Sequence, residues 1–224
     1  MSNNICMLYS SRNDYNVLEE ILYKKSSINF DNVIAFNVDC DSSTENMNVG
    51  KEIMKKHNVI NLEGGCSSIP MVKCVEMAFD YMDKNNIDSN WLMVNQHDIY
   101  FPQENFWSKL DTVLDNNKEL FNEKVGTIGF SVRNLPNERD LCYGRGNLLD
   151  GMIEREGFLI NLPESYTNVE YFVTECSWYV SWLINRRLFR KFIIPDYNFI
   201  LNFWGDDIAG QFMIHNIFNI TIFI

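Results

Sequence analysis

The sequence predicts an α/β protein built on a mixed, mainly parallel central sheet flanked by helices. Two observations carry this. Short apolar runs alternate with segments of helical periodicity through the first hundred residues, the pattern of βαβ units. Each apolar run also ends in a polar turn, at 10–14, 39–44, 63–68 and 95–98. All four turns fall at strand carboxyl ends, which is where open α/β sheets bind ligands. Neither repeats nor linker-like composition divide the chain, so a single domain over residues 1–224 is expected.

The elements follow in order. Ile5 to Tyr9 reads as a buried strand, followed by the turn Ser10 to Asp14. Val17, Leu18, Ile21 and Leu22 recur at helical spacing and predict a helix with these four residues inward. Asn32 to Val38 is a second strand, ending in Asp39-Cys40-Asp41-Ser42-Ser43-Thr44. Ser43 or Thr44 caps a helix that runs to about His57. A third strand near Val59 to Leu62 leads into Glu63-Gly64-Gly65-Cys66-Ser67-Ser68. Pro70 suits the first turn of the next helix, whose inward face is Val72, Val75, Phe79 and Met82. Trp91 to Val94 is the fourth strand, ending in Asn95-Gln96-His97-Asp98.

The second half is less regular. One amphipathic helix is expected over Glu104 to Phe121, with Phe106, Leu110, Val113 and Leu114 inward, and Val125 to Phe130 reads as a strand. Residues 133–151 form a long loop, a type that tends to be functional or mobile. Val169 to Ile184 predicts one or two strands. Arg186 to Phe192 and Gly205 to Asn216 read as short helices, and Ile217 to Ile224 as a closing strand.

Charge narrows the partners. Nineteen Lys and Arg against thirty Asp and Glu give 19 − 30 = −11. Nucleic acid is disfavoured, because phosphate binding needs a basic face. The same charge repels a phosphorylated small molecule unless a cation intervenes. Aromatics at 14% exclude a disordered chain. The cysteines at 6, 40, 66, 74, 142 and 176 never show C-x-x-C spacing, and no apolar leader opens the chain. Reduced thiols and a cytoplasmic location are expected. Phe212 to Ile224, broken by His215, Asn216 and Asn219, is too short for a transmembrane helix.

Four clusters carry chemistry-bearing side chains. His97-Asp98 follows a buried strand, where a carboxylate can hold a hard divalent cation. The structural alternative is a turn residue accepting backbone hydrogen bonds. Trp204-Gly205-Asp206-Asp207 opens a helix. Its acids suit a cap there, or one acts as general base while Trp204 stacks on a sugar ring. Asp39 and Asp41 can accept from a ribose or a base N–H, or simply form an Asx turn. Gly65 lies in a glycine turn that permits close backbone approach, without the spacing of a Walker loop. The absence of G-x-G-x-x-G gives a nicotinamide or flavin dehydrogenase no support. Arg186, Arg187, Arg190 and Lys191 form a basic cluster that fits a membrane surface or a phosphate less well than a solvated helix face, with Leu188, Phe189 and Phe192 inward.

The order of these motifs resembles the GT-A fold (Rossmann-like) glycosyltransferases, in particular the family 2-like group. The resemblance rests on Trp91-Leu-Met-Val-Asn-Gln-His-Asp-Ile-Tyr-Phe-Pro102, Trp107 and Val125-Gly-Thr-Ile-Gly-Phe130. Val38-Asp-Cys-Asp-Ser-Ser-Thr44 is similar to the family's turn after strand two. Leu183 to Phe192 followed by Trp204-Gly-Asp-Asp-Ile208 is similar to its helix and E-D motif. The likeness covers roughly residues 5–220.

The resemblance implies a nucleotide-sugar-binding half over about 1–100 and an acceptor-side half over about 101–224. It places the nucleotide-sugar at Tyr9, Ser10, Asp39, Asp41, Gly65 and Gln96, and Mn2+ or Mg2+ at Asp98 with His97. Asp207 would be the catalytic base, with Glu175, Trp178, Trp204 and Asp206 lining the acceptor side. The implied reaction moves a sugar from a UDP- or GDP-sugar to a hydroxyl of a glycan, lipid-linked or protein acceptor, with inversion, as in polysaccharide biosynthesis. Peripheral membrane contact is compatible with this.

Three departures stand out. The first acid of the D-x-D motif is replaced within Asn95-Gln96-His97, the arginine after the glycine turn is missing, and relatives continue beyond Ile224 to a metal-ligating histidine. C-terminal truncation is one reading of the last. The rivals are a non-catalytic nucleotide-sugar or carbohydrate binder on the same fold, and a sugar nucleotidyltransferase. The latter wants a glycine-rich basic loop after strand one, and Ser10 to Asp14 has no glycine.

Overall fold

The computed structural model describes residues 5–26, 33–62, 71–96, 106–131, 171–174, 181–193, 208, 211–212 and 214–223. The first half is built from strands β1 (Ile5–Ser11), β2 (Ala35–Asp39), β3 (Ile60–Leu62) and β4 (Trp91–Gln96). They alternate with helices α1 (Tyr15–Ser26), α2 (Thr44–Lys56) and α3 (Met71–Lys84). Then come α4 (Phe106–Asn116), α5 (Lys118–Lys124), β5 (Val125–Ser131), β6 (Tyr171–Thr174) and β7 (Ser181–Asn185). The short α6 (Arg186–Leu188) continues as a π-helical turn over Phe189–Ile193, and β8 (Phe218–Phe223) follows.

The eight strands form one mixed sheet in the order β3-β2-β1-β4-β7-β5-β8-β6. β1 pairs in parallel with β2 and β4, and β2 with β3, as consecutive βαβ units require. β7 then inserts between β4 and β5, antiparallel to both. β5 and β8 are parallel again, and β6 closes the edge antiparallel to β8. The carboxyl ends of β1, β2, β3 and β4 therefore share one edge of the sheet with the start of β7.

Both faces of the sheet are covered. Ile5, Met7, Ala35, Trp91, Met93 and Leu183 pack under α1, α2, α4 and α5. The alternate residues Cys6, Leu8, Phe36, Val38, Leu92, Trp182 and Ile184 pack under α3 and the π turn. Strands buried on both faces read as continuous apolar runs, which is why they stand out in the sequence. The predicted faces of α3 and α4 are the ones buried: Val72, Val75, Phe79 and Met82, and Phe106, Leu110, Val113 and Leu114. Ser43 caps α2, its hydroxyl accepting from the Asn46 N–H at 3.3 Å.

Four local expectations change. Val17 is 42% exposed, and Tyr15 takes the inward position at the start of α1 instead. The helix expected over 104–121 is two helices. At the break, Asn117 donates its side-chain amide to the Val113 carbonyl at 2.9 Å, competing with the helical ladder. β1 runs on to Ser11 and β4 to Gln96, because pairing with β2 and with each other continues through these polar residues. β2 begins at Ala35 rather than Asn32. Of the helix expected over 205–216, residues 208, 211, 212 and 214 are helical. Gly126 on β5 lies against Phe212, whose ring would stand 2.4 Å from any Cβ added there. The predicted loop at 133–151 lies outside the described residues.

The basic cluster is in part the solvated face expected: Arg187 and Lys191 are exposed, while Arg186 and Arg190 are half-buried and paired. Arg186 donates to the Ile87 and Ser89 carbonyls at 2.8 and 3.2 Å and pairs with Asp83. Arg190 bridges Asp80 and Asp83 at 2.6 Å each, and Arg187 pairs with Glu123 at 2.7 Å. Arg186 and Arg190 thus fasten the start of α6 and the π turn to the carboxyl end of α3, and Arg187 ties α6 to α5. Leu188 and Phe189 are buried as expected, whereas Phe192 is only partly so.

Candidate functional site

The carboxyl edge of β1, β2 and β4 is polar on the face covered by α1. One cross-strand row runs Asn61, Asn37, Tyr9, Asn95, Ser181, set by the strand register. Asn37 donates to the Asn61 side-chain oxygen at 3.0 Å and accepts from the Ser11 hydroxyl at 2.9 Å. The Ser181 hydroxyl donates to Asn95. Most of these buried amides and hydroxyls satisfy one another, but the Asn95 side-chain nitrogen is buried with no hydrogen-bond partner among the described residues. The row marks the transition from apolar core to ligand-facing edge.

The turns after β1 and β2 are bonded into one unit. Asn13 stands at φ 62° and Asp41 at φ 74°, both in the left-handed region that short polar side chains tolerate. The Asn13 N–H donates to Ser42 Oγ at 2.8 Å, and Asn13 Oδ1 accepts from the Ser43 N–H at 2.9 Å. Asn13 Oδ1 also accepts from the Asn46 side-chain amide at 3.1 Å. The Cys40 N–H closes the base of the unit on the Ser11 carbonyl at 2.8 Å.

Asp39 sits at the centre, 7% exposed. Its Oδ1 accepts from the Ser42 N–H at 2.8 Å and its Oδ2 accepts from the Tyr15 hydroxyl. Among the described residues no lysine or arginine pairs with it. Arg12 lies 3.5 Å from Asp41, and both of those side chains are exposed. Beside this carboxylate, the Cys40 thiol donates to the Val38 carbonyl at 3.8 Å and neighbours the Cys74 thiol. The interaction between the two thiols pulls Cys40 down and, together with burial, pushes Cys74 up.

The residues singled out in the sequence fall into three groups. Asp39 and Asp41 come together with Arg12, Asn13 and Ser42 at the edge just described. Ser10 is partly buried, one residue before the end of β1, and pairs in register with Val38 and Gln96. Tyr9 lies in the core with its ring under the helices, and burial pushes its phenol well above the usual range. Gln96 ends β4. Gly65, His97, Asp98, Glu175, Trp178, Trp204, Asp206 and Asp207 lie outside the described residues. Ile208, next to Asp207 in sequence, is buried in the second core.

Sequence reasoning missed Asn13, Tyr15, Asn37 and Asn61. Asn37 and Asn61 carry a readable signal, a lone amide between apolar neighbours near a strand end. Tyr15 carries none, since it resembles any aromatic at the start of an amphipathic helix. Among the described residues, no group of three or more His, Cys, Asp or Glu could hold a metal ion. No helix among them is long and apolar enough to cross a membrane.

The chain matches no protein-family profile and no curated protein sequence. Its fold is nonetheless shared with solved structures. A mannosyltransferase from Pyrobaculum calidifontis, in complex with GDP-mannose and Mn2+, superposes with a TM-score of 0.56 at 11% identity, covering 99% of this chain and 56% of that one. Residues 1–349 of S. aureus TarS give 0.58 at 11% identity, covering 99% and 58%. A TarS complex with UDP-GlcNAc gives 0.57 at 9%. The 4-diphosphocytidyl-2C-methyl-D-erythritol synthase of Anaerococcus prevotii gives 0.51 at 10%, covering all of this chain and 89% of that one. The fold is thus of the GT-A type, and the chain spans a little over half the length of the first two structures.

Proposed function

We propose that the protein is a glycosyltransferase that moves a sugar from a nucleotide-sugar donor to a hydroxyl acceptor, with inversion. One observation carries the reading most directly. The turns after β1 and β2 form a prebonded unit around a buried carboxylate at the sheet edge where α/β folds bind ligands. The same fold holds GDP-mannose in one solved structure and UDP-GlcNAc in another.

In this reading Asp39 and Asp41, with Tyr9 and Ser10, receive the nucleoside end of the donor. Gly65 and Gln96 complete that half of the site. Asp207 takes the proton of the acceptor hydroxyl, while Glu175, Trp178, Trp204 and Asp206 orient the acceptor. A direct displacement at the anomeric carbon then gives inversion. Asp98 and His97 offer an oxygen and an imidazole nitrogen, donors that suit Mn2+ and, through the carboxylate, Mg2+. A cation bound there would offset the charge of a leaving diphosphate, the charge that an acidic chain otherwise repels.

The specific rival is a nucleotidyltransferase, because one such synthase is matched over 89% of its length. A thermal-shift screen of UDP- and GDP-sugars, with and without Mn2+, separates the readings. A native-state ligand raises the melting temperature by linkage. The glycosyltransferase reading expects a metal-enhanced shift, release of nucleoside diphosphate with an acceptor, and loss of transfer in Asp207→Asn and Asp98→Asn. Pyrophosphate release from a nucleoside triphosphate would select the rival. Nucleotide-sugar binding with no release of nucleoside diphosphate would select a non-catalytic binder.

A further inference from the structure

We infer that Tyr15 is a positioning residue that fixes the Asp39 carboxylate for the nucleoside end of the donor, an inference that rests on the reading above. Asp39 is buried, and among the described residues no cation faces it. A desolvated carboxylate without a counter-ion is costly unless hydrogen bonds hold it. Two do, one from the Ser42 N–H on Oδ1 and one from the Tyr15 hydroxyl on Oδ2. Ionised, the carboxylate offers about four acceptor positions. Two are used by the protein, and the rest remain for N–H or O–H donors of a neutral ring or hydroxyl. A phosphate would be repelled there.

Tyr15 is itself held in place. It is the first residue of α1, buried, and its ring lies flat against α2 at Gly50. A Cβ at position 50 would stand 2.3 Å from the Tyr15 Cζ, so the ring keeps this position only because residue 50 is glycine. Burial first, and then the Asp39 bond, push the phenol up to about 12, so it remains a donor throughout the neutral range. One side chain therefore ties the start of α1, the middle of α2 and the end of β2. The Asn13–Ser42 bonds hold the same turns together from the exposed side.

The test is a double-mutant cycle with Tyr15→Phe, Asp39→Asn and the double variant. Dissociation constants for UDP-GlcNAc and GDP-mannose are measured by calorimetry, and Ser42 amide exchange by NMR. Tyr15→Phe keeps the ring and removes the hydroxyl. It is expected to weaken donor binding roughly five- to tenfold. It should also speed Ser42 exchange and lower the melting temperature by a few degrees, because one oxygen of a buried carboxylate loses its donor. In the Asp39→Asn background it should have no further effect on binding. The inference is overturned if Tyr15→Phe leaves the dissociation constant unchanged, or if its effect persists without the Asp39 carboxylate. If the wild type binds neither donor, the glycosyltransferase reading fails instead. Ser42 exchange then decides the positioning role alone: faster exchange in Tyr15→Phe supports it, and unchanged exchange overturns it.

Discussion

The two edges of the sheet treat carboxylates in opposite ways. At the amino end of β4, Asp83 and Asp80 meet Arg186 and Arg190, and Arg186 also caps the Ile87 and Ser89 carbonyls. At the carboxyl end of β2, Asp39 is more deeply buried yet is held only by a phenol and a backbone N–H. Where charge holds elements together, it is matched by charge. Where a ligand is proposed to dock, the carboxylate is fixed by neutral donors and keeps spare lone pairs. The difference separates a structural cluster from a candidate site more clearly than burial alone.

The largest expected effect is at the paired edge. Arg186→Ala strips three acceptors, and its side chain is only 18% exposed. Loss of about 2–4 kcal/mol is expected in urea unfolding, from the unpaired carbonyls and the lost charged bonds. Ligand binding by the folded fraction should be unchanged. A stability loss under about 0.5 kcal/mol would mean that this edge is no tighter than an ordinary surface.

Gly50→Ala comes next and acts at the other edge. The new Cβ must displace the Tyr15 ring, at a cost of about 1–3 kcal/mol. It should weaken nucleotide-sugar binding in the same direction as Tyr15→Phe. A variant as stable as wild type would show that the ring has room to move.

The smallest effect is on acid stability. Burial raises the Asp83 carboxyl, but bonds from Arg186 and then Arg190 outweigh it and hold the group below its ordinary value. A depressed carboxylate stabilises the fold above its unfolded pKa of about 3.9. That contribution is lost as pH falls through the folded value. Asp83 is 51% exposed, so solvent screening limits the effect to under about 1 kcal/mol. Unfolding midpoints measured from neutral pH down past that value should fall less steeply in Asp83→Asn. Identical acid limbs would remove Asp83 from the ion-pair ledger.

The first half of the fold was legible because it is built from local rules. β1 to β4 are apolar runs, α2 has a serine cap, and the inward faces of α3 and α4 follow helical periodicity. Asp39 and Asp41 could be suspected as acids at a strand end. Tyr15 could not, because its partner is 24 residues away and its seat depends on a glycine in another helix. Val17 misled for the related reason that an exposed valine and a buried one look the same in a helical repeat. The helix break falls at Asn117, a residue whose side chain bonds to the Val113 carbonyl beside its own backbone N–H.

By itself, the sequence determined most of the strands and helices of the first half and the inward faces of α3 and α4. Hydrophobic periodicity is a local property, and burying it is the dominant driving force. Only the tertiary structure decided partners. β7 enters antiparallel between β4 and β5, Arg186 reaches Asp83 across 103 residues, and Tyr15 finds Asp39. Backbone ladders offer the same bonds to any strand. The choice among partners rests on shape and charge that exist only once the chain has folded.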